Sequence, residues 1–148
     1  MEIKIIRARE QHRKEINRLI IGTRIGGPIK EPIKNFLIAR VDGKTIGCAA
    51  LECIGNGAAV FTHCAVQEEF RKKGIGSALV AERLRMARKK GIKILALVTM
   101  YYRFRFYKKR GFRTCPRAEL PECVRNYWMF TEKKYKKCAV MIRKESYE

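Results

Sequence analysis

Cys64-Ala65-Val66-Gln67-Glu68-Glu69-Phe70-Arg71-Lys72-Lys73-Gly74-Ile75-Gly76-Ser77 decides how the rest of this 148-residue chain is read. The apolar run Ala58–Val66 leads into it and an amphipathic run leads out, so the segment joins a strand to a helix. Gly74 and Gly76 have no side chain, which lets backbone amides come close to a ligand. The helix starting there presents unpaired N–H groups and positive potential at its first turn, a setting that favours an anion. Arg71, Lys72 and Lys73 add cations. Together these suit a pyrophosphate. Taken alone, R-x-x-G-x-G also describes a tight turn with basic decoration.

Downstream, Gly74–Lys90 reads as a helix whose inward face is Gly76, Val80, Leu84 and Ala87, with Gly91 ending it. Ile92–Thr99 is nearly all apolar and suits a strand covered on both faces. Strand, helix and strand in that order predict a right-handed crossover between parallel strands. Tyr101–Arg110 reads as a second helix stopped by Gly111, followed by a strand from Phe112 to Thr114. Lys137–Arg143 alternates and closes the sheet. Upstream, Ile3–Arg7 is a strand with Ile3 and Ile5 inward, and Arg9–Ile21 is a helix with Ile16, Leu19 and Ile20 on one face. Gly22–Pro32 is a loop by its glycines and prolines. Phe36–Val41, Thr45–Ile54 and Ala58–Val66 are strands joined through Asp42-Gly43-Lys44 and Gly55-Asn56-Gly57, both hairpin signals. The expected fold class is α/β (α+β), a single domain over residues 1–148.

Lys and Arg number 34 against 14 Asp and Glu, a net charge of +20. Such an excess attracts polyanions or is a solubilising surface, and the basic residues are spread along the whole chain. No apolar run is long enough to span a membrane. The N-terminus lacks a secretory apolar region, so a cytoplasmic protein is expected. The six cysteines contain no C-x-x-C pair, and His12 and His63 are the two imidazoles, so no metal site is expected. Cys48, Cys53, Cys64 and Cys138 lie in apolar, strand-like runs and read as reduced, buried thiols.

Arg71-x-x-Gly74-x-Gly76, after an apolar strand and before a helix, resembles the acetyl-CoA loop of the GNAT acetyltransferases. Phe106-Tyr107-Lys108-Lys109-Arg110-Gly111-Phe112 looks like the partner motif of that family, and the element order matches along nearly the whole chain. The resemblance implies a mixed central sheet of six to seven strands with flanking helices and a V-shaped splay between strands four and five. It implies pantetheine bonded to the backbone of Cys64–Val66, with Ala65 between them, and a diphosphate on Arg71, Lys72, Lys73, Gly74, Ile75, Gly76 and Ser77. Family members often carry an asparagine facing pantetheine where this chain has Met100. Rival phosphate folds fail, because no Walker G-K-[ST] is present and no acidic residue follows at ribose distance.

Transfer from a thioester to an amine needs a neutral amine, a polarised carbonyl and a tolerated thiolate. The Val66 N–H is the candidate donor to the carbonyl. Tyr107 is the candidate acid for the thiolate, or else a tyrosine packed in the helix–sheet layer. Many relatives place a glutamate where this chain has Val60. Glu52 on the adjacent strand, or an ordered water, can take its place as base. His63 has a suitable ordinary pKa but falls on the wrong strand parity and reads as packing.

Val41-Asp42-Gly43-Lys44-Thr45-Ile46-Gly47-Cys48-Ala49-Ala50-Leu51 is similar, more narrowly, to a run in the acetyltransferase domain of N-acetylglutamate synthases. Glu119-Leu120-Pro121 and Tyr135-Lys136-Lys137-Cys138 look similar too. In that branch a basic residue before the last strand holds a substrate carboxylate; Lys136 is the nearest match, and Arg24, Lys30 and Lys34 in the glycine-rich loop serve the same end. The partners implied are acetyl-CoA and an amine, either a small acidic amine such as glutamate or a protein N-terminus or lysine. A homodimer is compatible with the sequence. A third class is a non-catalytic module for nucleic acid, with Tyr102, Phe104 and Phe106 interleaved with Arg103 and Arg105 for stacking.

Overall fold

The computed structural model describes residues 2–100 and 103–145. Tyr101 and Tyr102, the start of the expected second helix and part of the proposed stacking run, lie outside the described residues. The strands are β1 (Lys4–Arg7), β2 (Phe36–Val41), β3 (Lys44–Gly55), β4 (Ala58–Val66), β5 (Ile94–Thr99), β6 (Arg113–Thr114) and β7 (Ala139–Lys144). The helices are α1 (Arg13–Gly22), α2 (Ile75–Lys89), α3 (Phe104–Lys108), α4 (Glu122–Arg125) and α5 (Trp128–Thr131). The sheet is mixed, with seven strands in the order β1-β2-β3-β4-β5-β7-β6, and β4 runs parallel to β5. The chain divides into two compact units, and β3 and β4 pass from one to the other at Leu51/Glu52 and Val60/Phe61.

In the first unit, β2 pairs antiparallel with β1 and with β3. Val41 faces Lys44, so the turn is the two residues Asp42 and Gly43, at φ 50° and 77°. Positive φ at both central positions matches the twist of the flanking strands, the reason Asp-Gly is favoured there. α1 buries Ile16, Leu19 and Ile20 against Phe36, Ile38 and Cys48, as the three- and four-residue spacing requires.

The buried face of α2 differs from the expected one. Ile75, Leu79, Val80, Arg83, Met86 and Ala87 are buried, while Gly76 and Leu84 are half-buried. Arg83 was not on the expected inward face of Gly76, Val80, Leu84 and Ala87. Its guanidinium instead lies 4.0 Å from the Phe61 ring centroid and donates through Nη1 to Ala50 O (3.2 Å) and through Nε to Leu79 O (3.3 Å). Those partners rotate the helix toward the stripe through residues 75, 79 and 83.

In the second unit, the β3–β4 turn is Asn56-Gly57, at φ 54° and 72°. The parallel ladder runs Ala58↔Ile94, Ala59↔Leu95 and Val60↔Ala96, and β4 continues to Val66 beyond it. β7 pairs with β5 along Ile94–Thr99 and with β6 on its other side, so the last strand enters the sheet and β6 forms the edge. β7 starts at Ala139, later than expected, because Arg117 donates to Tyr135 O (2.6 Å) and Cys138 O (3.3 Å) and holds the chain in a loop up to that point. α3 starts at Phe104. α4 and α5 carry no sequence pattern of their own, since four residues are too few for a period. Val124, Met129 and Phe130 nonetheless fill one core with Val60, Ala96 and Ile142.

All six cysteines are free. Cys48 and Cys115 are buried; the reading of Cys64 and Cys138 as buried thiols is corrected to half-buried, and that of Cys53 to exposed. Cys53 lies near the hairpin end of β3, where burial gives way to alternation and its side falls to solvent. Among the described residues no helix is long and apolar enough to cross a membrane.

Candidate functional site

β4 ends at Val66, and the Gln67 N–H donates to Ile46 O (2.8 Å), keeping the exit of β4 beside β3. A 3-10 turn over Glu68–Phe70 follows. Lys72 and Gly74 then take left-handed backbone, φ 63° and 82°, and aim the chain into α2. Ile75 is 1% exposed and anchors the helix start, and Gly74 O accepts from the Ala78 N–H (3.0 Å). Arg71, Lys72, Lys73 and Gly74 are exposed, while Gly76 and Ser77 are half-buried. Arg71 folds back so that Nε donates to Val66 O (3.1 Å), and Lys73 Nζ sits 5.9 Å from the Phe70 ring centroid. On the strand, Ala65 is buried with half-buried Cys64 and Val66 on either side.

Two observations make this segment fit a diphosphate. No carboxylate lies in the first turn of α2, so the positive end of the helix is not neutralised from within. A Cβ built on Gly74 meets nothing within 4 Å, so the space beside the turn is open, and only the positive φ demands glycine. Arg71 also lines a cavity of about 780 Å³ together with Arg18, Arg24 and Lys44, and with Glu15 and Glu68. Arg24 is exposed, at φ 63°. The loop thus brings two of the sequence-derived cations, Arg24 and Arg71, to one cavity.

His63 departs from the strand rule used to dismiss it. Its φ is 50°, left-handed backbone in the middle of β4, so alternation does not carry through it. The Cys48 thiol donates to His63 O (3.3 Å), and burial pushes that thiol well up, keeping it protonated as a donor. The ring packs at 5.4 Å from Phe36, with Nδ1 2.9 Å from Thr62 Oγ1 and Nε2 3.4 Å from Glu31 Oε1. Glu31 was not singled out in the sequence. No spacing rule links a residue of the glycine-rich loop to one of β4, and only the folded chain joins them.

In the second unit, Tyr107 is the buried residue of α3, packed edge-on between Phe106 (5.0 Å) and Phe112 (5.8 Å). Its carbonyl accepts from the Phe112 N–H (3.1 Å) across Gly111 at φ 87°, a Schellman-type end that fixes the short helix. Glu52 is half-buried on β3, and its Oε2 accepts from the Tyr127 hydroxyl. Lys136 is exposed on the loop that Arg117 holds, just before β7. At Phe106, part of the expected stacking run, the Arg110 guanidinium is 3.7 Å from the ring centroid and that of Arg103 5.0 Å.

Residues 32–114, more than half of the chain, match the model of the acetyltransferase (GNAT) domain, and the chain belongs to that family. It is 31% identical over 96 residues to an uncharacterized N-acetyltransferase of Chlorobaculum tepidum, covering 65% of this chain and 61% of that one. It is 34% identical over 90 residues to an amino-acid acetyltransferase of Aeromonas salmonicida, covering 60% of this chain and 20% of the relative. Among solved structures, an N-acetylglutamate synthase from Neisseria gonorrhoeae complexed with coenzyme A and L-arginine matches with a TM-score of 0.80 and 26% identity. That match covers 98% of this chain and 34% of the synthase chain. The chain therefore spans less than two thirds of these relatives.

Proposed function

We propose that this protein is an acetyl-CoA-dependent N-acetyltransferase that moves an acetyl group directly to a primary amine in a ternary complex, and that it works in the cytoplasm with its cysteines reduced. The observation that carries the reading is the carboxylate-free first turn of α2 behind Arg71-Lys72-Lys73 and a left-handed Gly74. Arg71–Ser77 would hold the diphosphate, and backbone of Cys64–Val66 the pantetheine, with the Val66 N–H aimed at the carbonyl oxygen. Acetyl-CoA supplies an activated acetyl thioester. Thiol release measured with acetyl-CoA across amino acids and short peptides tests this. Release that depends on an amine supports it, and acetyl-CoA binding without release by any amine rejects it.

Tyr107 is the proposed acid for the departing sulfur. Thiolates leave readily, so Tyr107→Phe is expected to lower kcat by about 10²-fold, the low end for a general acid. The KM for acetyl-CoA should change little, and the alkaline limb of the kcat profile should move. An unchanged kcat assigns Tyr107 to packing against Phe106 and Phe112.

For the acceptor, we propose a small acidic amine such as glutamate. The likeness to amino-acid acetyltransferase and N-acetylglutamate synthase chains supports this, as do the cations Arg24 and Lys136. A charge-assisted bond to a sheltered carboxylate contributes about 1.5–3 kcal/mol, so glutamine should be used about 10–100-fold less well than glutamate in kcat/KM. Lys136→Ala should narrow that gap. A peptide N-terminus used 100-fold better than glutamate moves the assignment to a protein or peptide acetyltransferase.

A further inference from the structure

No Asp or Glu occurs from Ala87 to Ala118, all of it in the second unit, although the stretch is rich in Lys and Arg. Its exposed cations gather on α3 and the turn into β6. Arg105, Lys108 and Lys109 stand three and four residues apart, so they share one side of the helix, and all three are exposed. Tyr107 is the buried residue of α3, and the Phe112 N–H donates to its carbonyl (3.1 Å), tying the helix end to the strand that follows. Arg113 is exposed on that strand, β6, the edge of the sheet. It pairs with Ile142 of β7, and exposed Lys144 lies two residues further along β7, on the face that carries Ile142.

Elsewhere the chain sets a carboxylate three residues from an arginine and pairs them, as in Glu10 with Arg13 and Glu82 with Arg85. Here it does not. Among the described residues, Arg105, Lys108, Lys109 and Arg113 form no ion pair. Glu145, which follows Lys144, is bonded to Arg143. Like charges three and four residues apart on a helix repel each other. The negative end of α3 offsets this for Lys108 and Lys109, but exposed Arg103 stands at the positive end, where a cation is disfavoured.

We propose that the α3–β6 edge is a docking surface for double-stranded nucleic acid, which it holds by the phosphates. A polyanion relieves the repulsion among these cations, and release of its condensed counterions supplies the affinity. A duplex presents a phosphate about every 3.4 Å along each strand, dense enough to meet several cations at once. From Arg103 to Thr114 the exposed side chains are cations and Thr114, while Phe104 and Phe106 are half-buried and Tyr107 is buried. A surface of this kind grips backbone and does not stack on bases, which favours a duplex over a single strand. No exposed large apolar side chain lies between Arg103 and Thr114, where a lipid surface would need one to insert. The surface shares no residue with Arg71–Ser77, so it adds a partner to the acetyltransferase reading and is tested separately from it.

Fluorescence anisotropy of a labelled DNA duplex of about 20 base pairs, titrated with the full chain, is the test. Contacts from Arg105, Lys108, Lys109, Arg113 and Lys144 predict that log affinity falls with log salt at a slope of about 4–5, roughly 500-fold between 50 and 200 mM. A duplex of unrelated sequence should bind equally well, because phosphates carry no sequence. Lys108→Glu/Lys109→Glu/Arg113→Glu should lower the slope by about 3 and the affinity at 100 mM salt by at least about 100-fold. Lys4→Glu/Arg7→Glu/Lys14→Glu makes the same change of charge at exposed positions of the first unit. It should cost no more than about 5-fold, since charges beyond about 10 Å are screened at that salt. Equal losses in the two triple variants mean that net charge acts as a whole, and overturn the proposal. Tighter binding to a single strand of the same length overturns it too. So does half-saturation at a lower concentration of anionic charge on phosphatidylserine vesicles or on polyglutamate, which makes the partner a membrane or an acidic protein. If the patch variant does not fold, Lys108→Ala, Lys109→Ala and Arg113→Ala decide: each should lower the slope by about 1, and three unchanged slopes overturn the surface.

Discussion

Gly76→Glu is expected to remove most of the rise in Tm that acetyl-CoA gives the wild-type protein, without unfolding it. Gly76 is the second residue of α2, half-buried in the turn that follows Arg71–Gly74. A glutamate in the first turn of a helix favours the helix itself by about 0.3–1 kcal/mol, so the fold is not at risk from its charge. The same charge stands where a diphosphate needs positive potential. One pair of like charges about 4 Å apart costs roughly 4 kcal/mol at the effective dielectric of a protein surface, and a diphosphate carries more than one. Affinity should fall by at least about 100-fold, which is about 2.7 kcal/mol. A ligand at 100 times its Kd stabilises the folded state by about that amount, and after a 100-fold loss about 0.4 kcal/mol is left, so most of the shift disappears at such a concentration. Gly76→Ala is the control and should keep most of the shift. A folded Gly76→Glu protein that acetyl-CoA still protects places the diphosphate elsewhere.

The other large effect lies at Arg83, where truncation and isosteric replacement should part company. Arg83 is 1% exposed, with Nη1 bonded to Ala50 O and the guanidinium over Phe61, while Nη2 has no hydrogen-bond partner among the described residues. Arg83→Ala removes a long side chain from a packed face and should cost about 2–5 kcal/mol, as other large-to-alanine core changes do. At about 2–4 °C per kcal/mol for a chain of this size, the Tm drop is well resolved. Arg83→Met keeps the stem and removes the charge. A charge-assisted bond contributes about 1.5–3 kcal/mol and a desolvated cation–π contact about 2 kcal/mol. Against these stand several kcal/mol for burying an ion, so the methionine variant should lie within about 1 kcal/mol of wild type. If Arg83→Met is as unstable as Arg83→Ala, the bonds to Ala50 and Phe61 outweigh the desolvation of the guanidinium.

Much of the chain was legible because its signals are local. Two-residue turns at Asp42-Gly43 and Asn56-Gly57 follow from the positive φ that only a few residues tolerate. The spacing of Ile16, Leu19 and Ile20 specifies the buried side of α1. Arg71-x-x-Gly74-x-Gly76 marks its own loop, since the glycine and the charges act within one helical turn. Phe106 to Phe112 likewise mark the end of α3, where Gly111 must take left-handed backbone.

Where two distant segments share one side chain, local signals were silent or misleading. Arg83 did not figure on the expected inward face of α2, yet Ala50 and Phe61 give its guanidinium partners inside, and the buried face runs through it. Lys137 and Cys138 alternate like strand residues, yet Arg117 holds that stretch as a loop and postpones β7 to Ala139. His63 was set aside on parity, a rule that assumes extended backbone at every residue, and its φ of 50° breaks the assumption. Sequence by itself determined the strands of the sheet, the helices α1 and α2, the loop between β4 and α2 and the family, but not the short helices α4 and α5. Tertiary structure alone decided which polar side chains are inside and what they face. The physical reason is range: turn and helix preferences are settled by a residue and its near neighbours. A buried charge or a paired histidine depends on a partner that another part of the chain delivers.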